Sequence, residues 1–122
     1  MNRKAFNWLK AWKASENRKP LILLGARQVG KTWLMKAFGD ACYKSVAYIN
    51  CDAEPLAKAL FTADYNVERI LFSIQAITGV KPEPAETLII FDEIQEAPRG
   101  LHSLKYFQEQ IPEYHIMAAG SL

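Results

Sequence analysis

Gly25, Gly30, Lys31 and Thr32 stand in the spacing G-x-x-x-x-G-K-[ST]. Each fixed type has a physical reason to be there. Glycine lets a backbone turn with positive φ and come close to an anion with no Cβ in the way. In such a loop the successive N–H groups of Gly25, Ala26, Arg27, Gln28, Val29, Gly30, Lys31 and Thr32 point inward and cradle phosphate oxygens. A helix opening at the same point adds the positive end of its dipole. Lys31 brings a point charge for the β- and γ-phosphates, and Thr32 brings a hydroxyl for Mg²⁺. The plain alternative is a glycine turn before a helix that happens to hold Lys-Thr. The flanks favour the phosphate loop, since the apolar run Leu21–Leu24 precedes it and a helical stretch follows.

A second chemical group lies downstream. Leu88-Ile89-Ile90-Phe91-Asp92-Glu93 is an apolar strand ending in two carboxylates. In an open parallel sheet, ligands bind at the carboxyl ends of the strands, so Asp92 is expected to face the same crevice as the glycine loop. A carboxylate there suits Mg²⁺, which takes a few oxygen ligands and keeps much of its water. Glu93 then has the position to orient, or take a proton from, a water attacking the γ-phosphorus. Ala118-Ala119-Gly120-Ser121 ends another apolar run, and Ser121 is a candidate hydroxyl between the Mg²⁺ site and the γ-phosphate. An ordinary turn serine is its rival.

The elements that must position these groups alternate. Ala5, Trp8, Leu9 and Trp12 fall at i, i+3, i+4 and i+7, which predicts a helix over about 3–14 whose stripe, the tryptophans included, packs inward. Trp33 is placed in packing too, with an aromatic stacked on adenine as the rival reading for these tryptophans. Leu21–Leu24 is wholly apolar and reads as a strand covered on both faces. Lys31–Phe38 reads as a helix with Gly39 as its stop. Val46–Asn50 is a second strand and Pro55–Phe61 a short helix. Asn66 caps a longer helix with the stripe Val67, Ile70, Leu71, Ile74 and Ile77, and Gly79 stops it. Lys81–Glu86, with two prolines, is loop. Thr87–Phe91 is a third strand. Leu101, Leu104, Phe107 and Ile111 mark a helix closed before Pro112, and Tyr114–Ala119 is a fourth strand. Strands separated by helices predict an α/β fold with a parallel sheet.

With these residues placed, GARQVGKT, LIIFDEIQEAP and AAGSL, in that order, resemble the AAA-type ATPase domain of a prokaryotic family of predicted ATP-binding proteins. The resemblance covers essentially the whole chain. It places Gly25, Gly30, Lys31 and Thr32 at the Walker A positions, Asp92 and Glu93 at the Walker B pair, and Ser121 at the sensor position. It implies ATP and Mg²⁺, and a three-layer P-loop NTPase fold with sheet order 5-1-4-3-2. Four strands of the five are expected here. The chain thus reads as a partial ATPase domain over 1–122, with a basic helix and linker at 1–20 and a nucleotide-binding core at 21–122. It also reads as the N-terminal part of a longer protein, in which the 21–24 strand lacks its outer neighbour and forms an apolar edge.

Composition narrows the partners. The chain has 122 residues, one domain's worth, and 50% hydrophobic with 23% charged residues argues against disorder. A net charge of +2 is too balanced for a surface devoted to nucleic acid; the basic N-terminal helix leaves DNA contact open but unsupported. No apolar run approaches the ~20 residues of a membrane span, and no signal-like segment opens the chain, so a cytoplasmic protein is expected. Cys42 and Cys51 are expected as reduced thiols, and His102 and His115 form no ligand pattern with them. Arg27 is left between a phosphate or acid contact and a solvated arginine. Glu96 and Arg99 read as surface charge. The functional expectation is an ATPase that drives conformational work, with Lys31, Glu93 and Ser121 catalytic and a homo-oligomer left open. The alternative is a nucleotide-gated interaction or DNA-associated regulatory module with little hydrolysis. A small-molecule kinase is disfavoured by Glu93 and by the lack of an acceptor lid.

Overall fold

The computed structural model describes residues 3–25 and 29–121, with Val29 described by its backbone alone. The elements are α1 (Arg3–Ala14), β1 (Leu21–Gly25), α2 (Val29–Cys42), β2 (Ser45–Asn50), α3 (Pro55–Lys58), α4 (Val67–Thr78), β3 (Thr87–Asp92), a 3₁₀ turn (Ile94–Glu96), α5 (Gly100–Gln110) and β4 (His115–Ser121). Among the described residues the four strands form one parallel sheet in the order β1-β4-β3-β2. That is the expected 5-1-4-3-2 order for the strands this chain carries.

The alternation of side chains along parallel strands divides the core into two layers. Leu88, Ile90, Met117 and Ala119 face one side, where Leu9 of α1 and Met35 and Phe38 of α2 cover them. Ile89, Phe91, Ile116 and Ala118 face the other, under Ile70 and Ile74 of α4 and Leu104 and Phe107 of α5. On that second side Phe61, Phe91 and Phe107 meet with ring centroids 5.6–6.2 Å apart. Fully burying each such ring is worth about 1.5–3 kcal/mol. β3 is buried along its whole length, so it is the rigid centre from which Asp92 emerges.

Local signals account for the helix ends. The Asn66 side chain accepts from the Arg69 N–H, and Gly79 closes α4 in the left-handed region at φ 76°. Lys13 of α1 donates to the Cys42 carbonyl at 2.6 Å, placing a cation on the negative end of α2. Arg18 ties the linker down by donating to the carbonyls of Lys13 and Pro112.

Several expectations are corrected. Gly39 does not stop a helix; α2 runs through it to Cys42. Its role is close approach: a Cβ there would lie 2.6 Å from Val46 Cγ2. Trp8 and Trp33 are more than half exposed, at 56% and 52%. The inward stripe of α1 is rotated toward Phe6, which packs edge-on against Phe38 with centroids 5.6 Å apart. β1 is not covered on both faces, because Ile22 and Leu24 are 39% and 56% exposed on an outer strand. Leu101 likewise leaves the buried face of α5. Arg99 is exposed, as expected of a surface charge, and its guanidinium donates to the Tyr65 hydroxyl and the Thr62 carbonyl.

Candidate functional site

The site forms where β1, β3 and β4 end beside the start of α2. Residues 88, 90 and 92 share a face of β3, and Leu88 and Ile90 lie in the α2 layer. Asp92 therefore emerges toward α2, and its Oδ2 accepts a 2.6 Å hydrogen bond from the Thr32 hydroxyl. Strand register brings a second donor. Tyr48 of β2 pairs with Ile90 on the same face, and its hydroxyl also donates to Asp92 Oδ2 at 2.6 Å. Asp92 is only 3% exposed, so both bonds hold a carboxylate inside the fold. Burial, and then the Asp92 carboxylate, raise the Tyr48 phenol well above its ordinary value, so it remains a protonated donor. Lys36 sits over the Tyr48 ring, 4.0 Å from its centroid.

Glu93 turns away from this pair. It occupies the left-handed region at φ 53°, ψ 47°, a conformation that costs a non-glycine residue roughly 1–2 kcal/mol. The turn sends the two consecutive carboxylates to different neighbours. Gln95 Nε2 donates to Glu93 Oε2 at 2.7 Å, and the Ser121 hydroxyl lies 3.3 Å and 3.4 Å from the two Glu93 oxygens. Lys31 Nζ donates to the Gly120 carbonyl at 2.8 Å, which fixes the ammonium at the end of β4. Gly25 leaves β1 at φ 156°, where side chains are rarely found. Cys51 is buried beside this corner, and its N–H donates to the Asp92 carbonyl. Burial, and then the Asp92 and Glu93 carboxylates, push its thiol up to about 12.

Of the residues singled out from sequence, the structure gathers Gly25, Lys31, Thr32, Asp92, Glu93 and Ser121 at one end of the sheet. Gly30 lies in the first turn of α2. Ala26, Arg27 and Gln28, and the side chain of Val29, lie outside the described residues. Thr32 and Asp92 offer the hydroxyl and carboxylate oxygens that suit a hard cation such as Mg²⁺. The sequence reading gave no role to two neighbours. Tyr48 could have been found from parity, since it lies two residues before the end of β2, as Ile90 does in β3. Gln95 stands two residues after Glu93, but its contact with Ser121 is visible only in three dimensions. The described residues contain no cluster of metal-ligating histidines, cysteines and acids, and Cys42 and Cys51 are both free thiols. No helix among them is long and apolar enough to cross a membrane.

A family model described as an AAA domain matches residues 17–122. The cytoplasmic dynein 2 heavy chain 1 proteins of Rattus norvegicus and Mus musculus are each 25% identical over 118 residues. The match covers 91% of this chain and 3% of each relative, so the chain spans a small part of their length.

Proposed function

The chain belongs to the AAA-domain family and is a nucleotide-binding domain of the ATPase type, and from its site we propose that it binds ATP with Mg²⁺ and hydrolyses it. The observation that carries this reading is the Thr32–Asp92 hydrogen bond. It joins the start of α2 to the end of β3, while Lys31, in the same start of α2, reaches the end of β4.

In this reading the N–H groups of Gly25–Thr32 hold the phosphates, and Lys31 neutralises the β- and γ-phosphate oxygens. Thr32 and Asp92 would hold Mg²⁺, which would supply neutralising charge for the phosphates. Glu93 orients a water in line with the γ-phosphorus and takes its proton. The water oxygen bonds to phosphorus while the bond to the β–γ bridging oxygen breaks, and ADP leaves with that electron pair. Ser121, beside the Glu93 carboxylate, steadies that group and the γ-phosphate end of the site.

The test is a comparison of two variants for both affinity and turnover. Glu93→Gln is expected to keep ATP affinity while losing ~10²–10⁴ in hydrolysis rate, the scale of a lost general base. Asp92→Asn is expected to lose the Mg²⁺-dependent part of binding together with turnover. A Glu93→Gln protein that hydrolyses ATP at the wild-type rate overturns the assignment of Glu93. A wild-type protein that binds ATP but does not turn it over supports the nucleotide-gated module instead.

A further inference from the structure

We propose that Gln95 is a positioning residue that sets the Glu93 carboxylate by bridging it to the end of β4, an inference that rests on the water-orienting role given to Glu93 above. Gln95 lies in the 3₁₀ turn that follows the left-handed turn at Glu93. Its side-chain amide is engaged at both ends. Nε2 donates to Glu93 Oε2 at 2.7 Å, and Oε1 accepts from the Ser121 N–H at 3.2 Å.

The peptide unit that Gln95 contacts is itself tied to the phosphate loop. Its carbonyl, on Gly120, accepts from Lys31 Nζ at 2.8 Å, while its N–H, on Ser121, donates to Gln95. A continuous hydrogen-bonded path thus runs from Lys31 through one peptide bond and one amide to Glu93. The glycine at 120 makes room for it. A Cβ there would lie 3.1 Å from Gln95 Oε1 and 3.3 Å from Leu24 Cδ2.

The chemistry requires an amide. Glutamine can donate to a carboxylate and accept from an N–H at the same time. Glutamate would set a second acceptor against Glu93, and alanine would offer neither group. Gln95 is exposed, so its packing contributes little to the core. Its two bonds join the turn after β3 to β4 across 26 positions of sequence. Water orientation tolerates little error, and a displacement of about 1 Å in a reacting group costs up to ~10²-fold in rate.

The experiment measures ATP turnover, equilibrium ATP affinity and melting temperature for wild type, Gln95→Ala, Gln95→Glu, Gly120→Ala, Glu93→Gln and the double variant Gln95→Ala/Glu93→Gln. Gln95→Ala and Gln95→Glu are expected to lower kcat by ~10- to ~10²-fold while ATP affinity stays within about threefold of wild type. Gly120→Ala, which crowds the same amide, is expected to lower kcat in the same sense. The double variant is expected to be no slower than Glu93→Gln alone, because Gln95 acts through Glu93. If Gln95→Ala destabilises the protein, the near-isosteric Gln95→Glu carries the comparison. The inference is overturned if Gln95→Ala and Gln95→Glu turn over at the wild-type rate while Glu93→Gln is inactive. It is equally overturned if Gln95→Ala slows the Glu93→Gln protein by the factor it costs wild type, or lowers affinity as much as kcat. A Glu93→Gln protein as fast as wild type fails at the earlier step and removes the role of Glu93 itself.

Discussion

Thr32 and Asp92, sixty positions apart in sequence, share a 2.6 Å hydrogen bond that closes the start of α2 onto the end of β3. The bond presets the distance between the two oxygens assigned to Mg²⁺. Thr32→Ala is expected to remove the gain in ATP affinity that Mg²⁺ brings, and Thr32→Ser to retain it. Titration of ATP in Mg²⁺ and in chelator checks this. An alanine variant with the full Mg²⁺-dependent gain would contradict the assignment.

Tyr48 supplies the other hydrogen bond to Asp92 Oδ2. Tyr48→Phe leaves the ring over which Lys36 sits but removes the hydroxyl. A hydrogen bond to a charged group contributes about 1.5–3 kcal/mol, and partners of metal-holding carboxylates commonly tune affinity by ~10–100-fold. The variant is expected to bind ATP roughly tenfold more weakly in Mg²⁺ than wild type, with little difference in chelator. Equal weakening in both conditions would mean that Tyr48 acts on the fold and not on the metal carboxylate.

The packing of α2 on the sheet depends on Gly39. An added methyl would meet Val46 Cγ2 at 2.6 Å and Leu88 Cδ2 at 3.2 Å. Overpacking of this kind costs about 1–3 kcal/mol, against a gain near 1 kcal/mol in helix propensity. Gly39→Ala should therefore lower stability in urea denaturation, and adding Val46→Ala should recover part of the loss. A single variant more stable than wild type would show that the helix can shift to accept the methyl.

His115 makes stability depend on acid. It is buried, shares a 2.6 Å hydrogen bond with the Tyr43 hydroxyl and packs edge-on against Trp12. Burial, then the nearby Arg18 and Lys13 cations, lower its folded pKa to about 4 from 6.5. The unfolded chain therefore binds the proton first as pH falls. Stability from this group is intact above pH 6.5 and declines between 6.5 and 4, at up to about 1.4 kcal/mol per pH unit. Denaturation curves for wild type and His115→Gln across that window should converge as pH falls. Parallel curves would place the titration elsewhere.

How far the sequence carried depended on the range of the cause. Local causes were readable: the Asn66 cap and Gly79 stop of α4 and the apolar runs of β3 and β4. The sheet order came with the family resemblance carried by the sequence motifs. Gly39 misled because one glycine can stop a helix or admit a neighbour, and only Val46 across the layer decides which. Trp8 was misplaced because periodicity defines a face without fixing its phase, which Phe6 and Phe38 set. Tyr48 was open to a parity argument that needs the pairing of β2 with β3, while the contact of Gln95 with Ser121 comes from the meeting of the turn after β3 with β4, which leaves no local mark.

The claim on which the rest depends is that Lys31 and its loop hold the phosphates of ATP. Isothermal calorimetry of ATP in Mg²⁺ with wild type and Lys31→Ala tests it most directly. Loss of a charge-assisted contact worth about 1.5–3 kcal/mol predicts affinity lower by ~10-fold or more, with melting temperature preserved. Equal affinity in the two folded proteins would contradict the account.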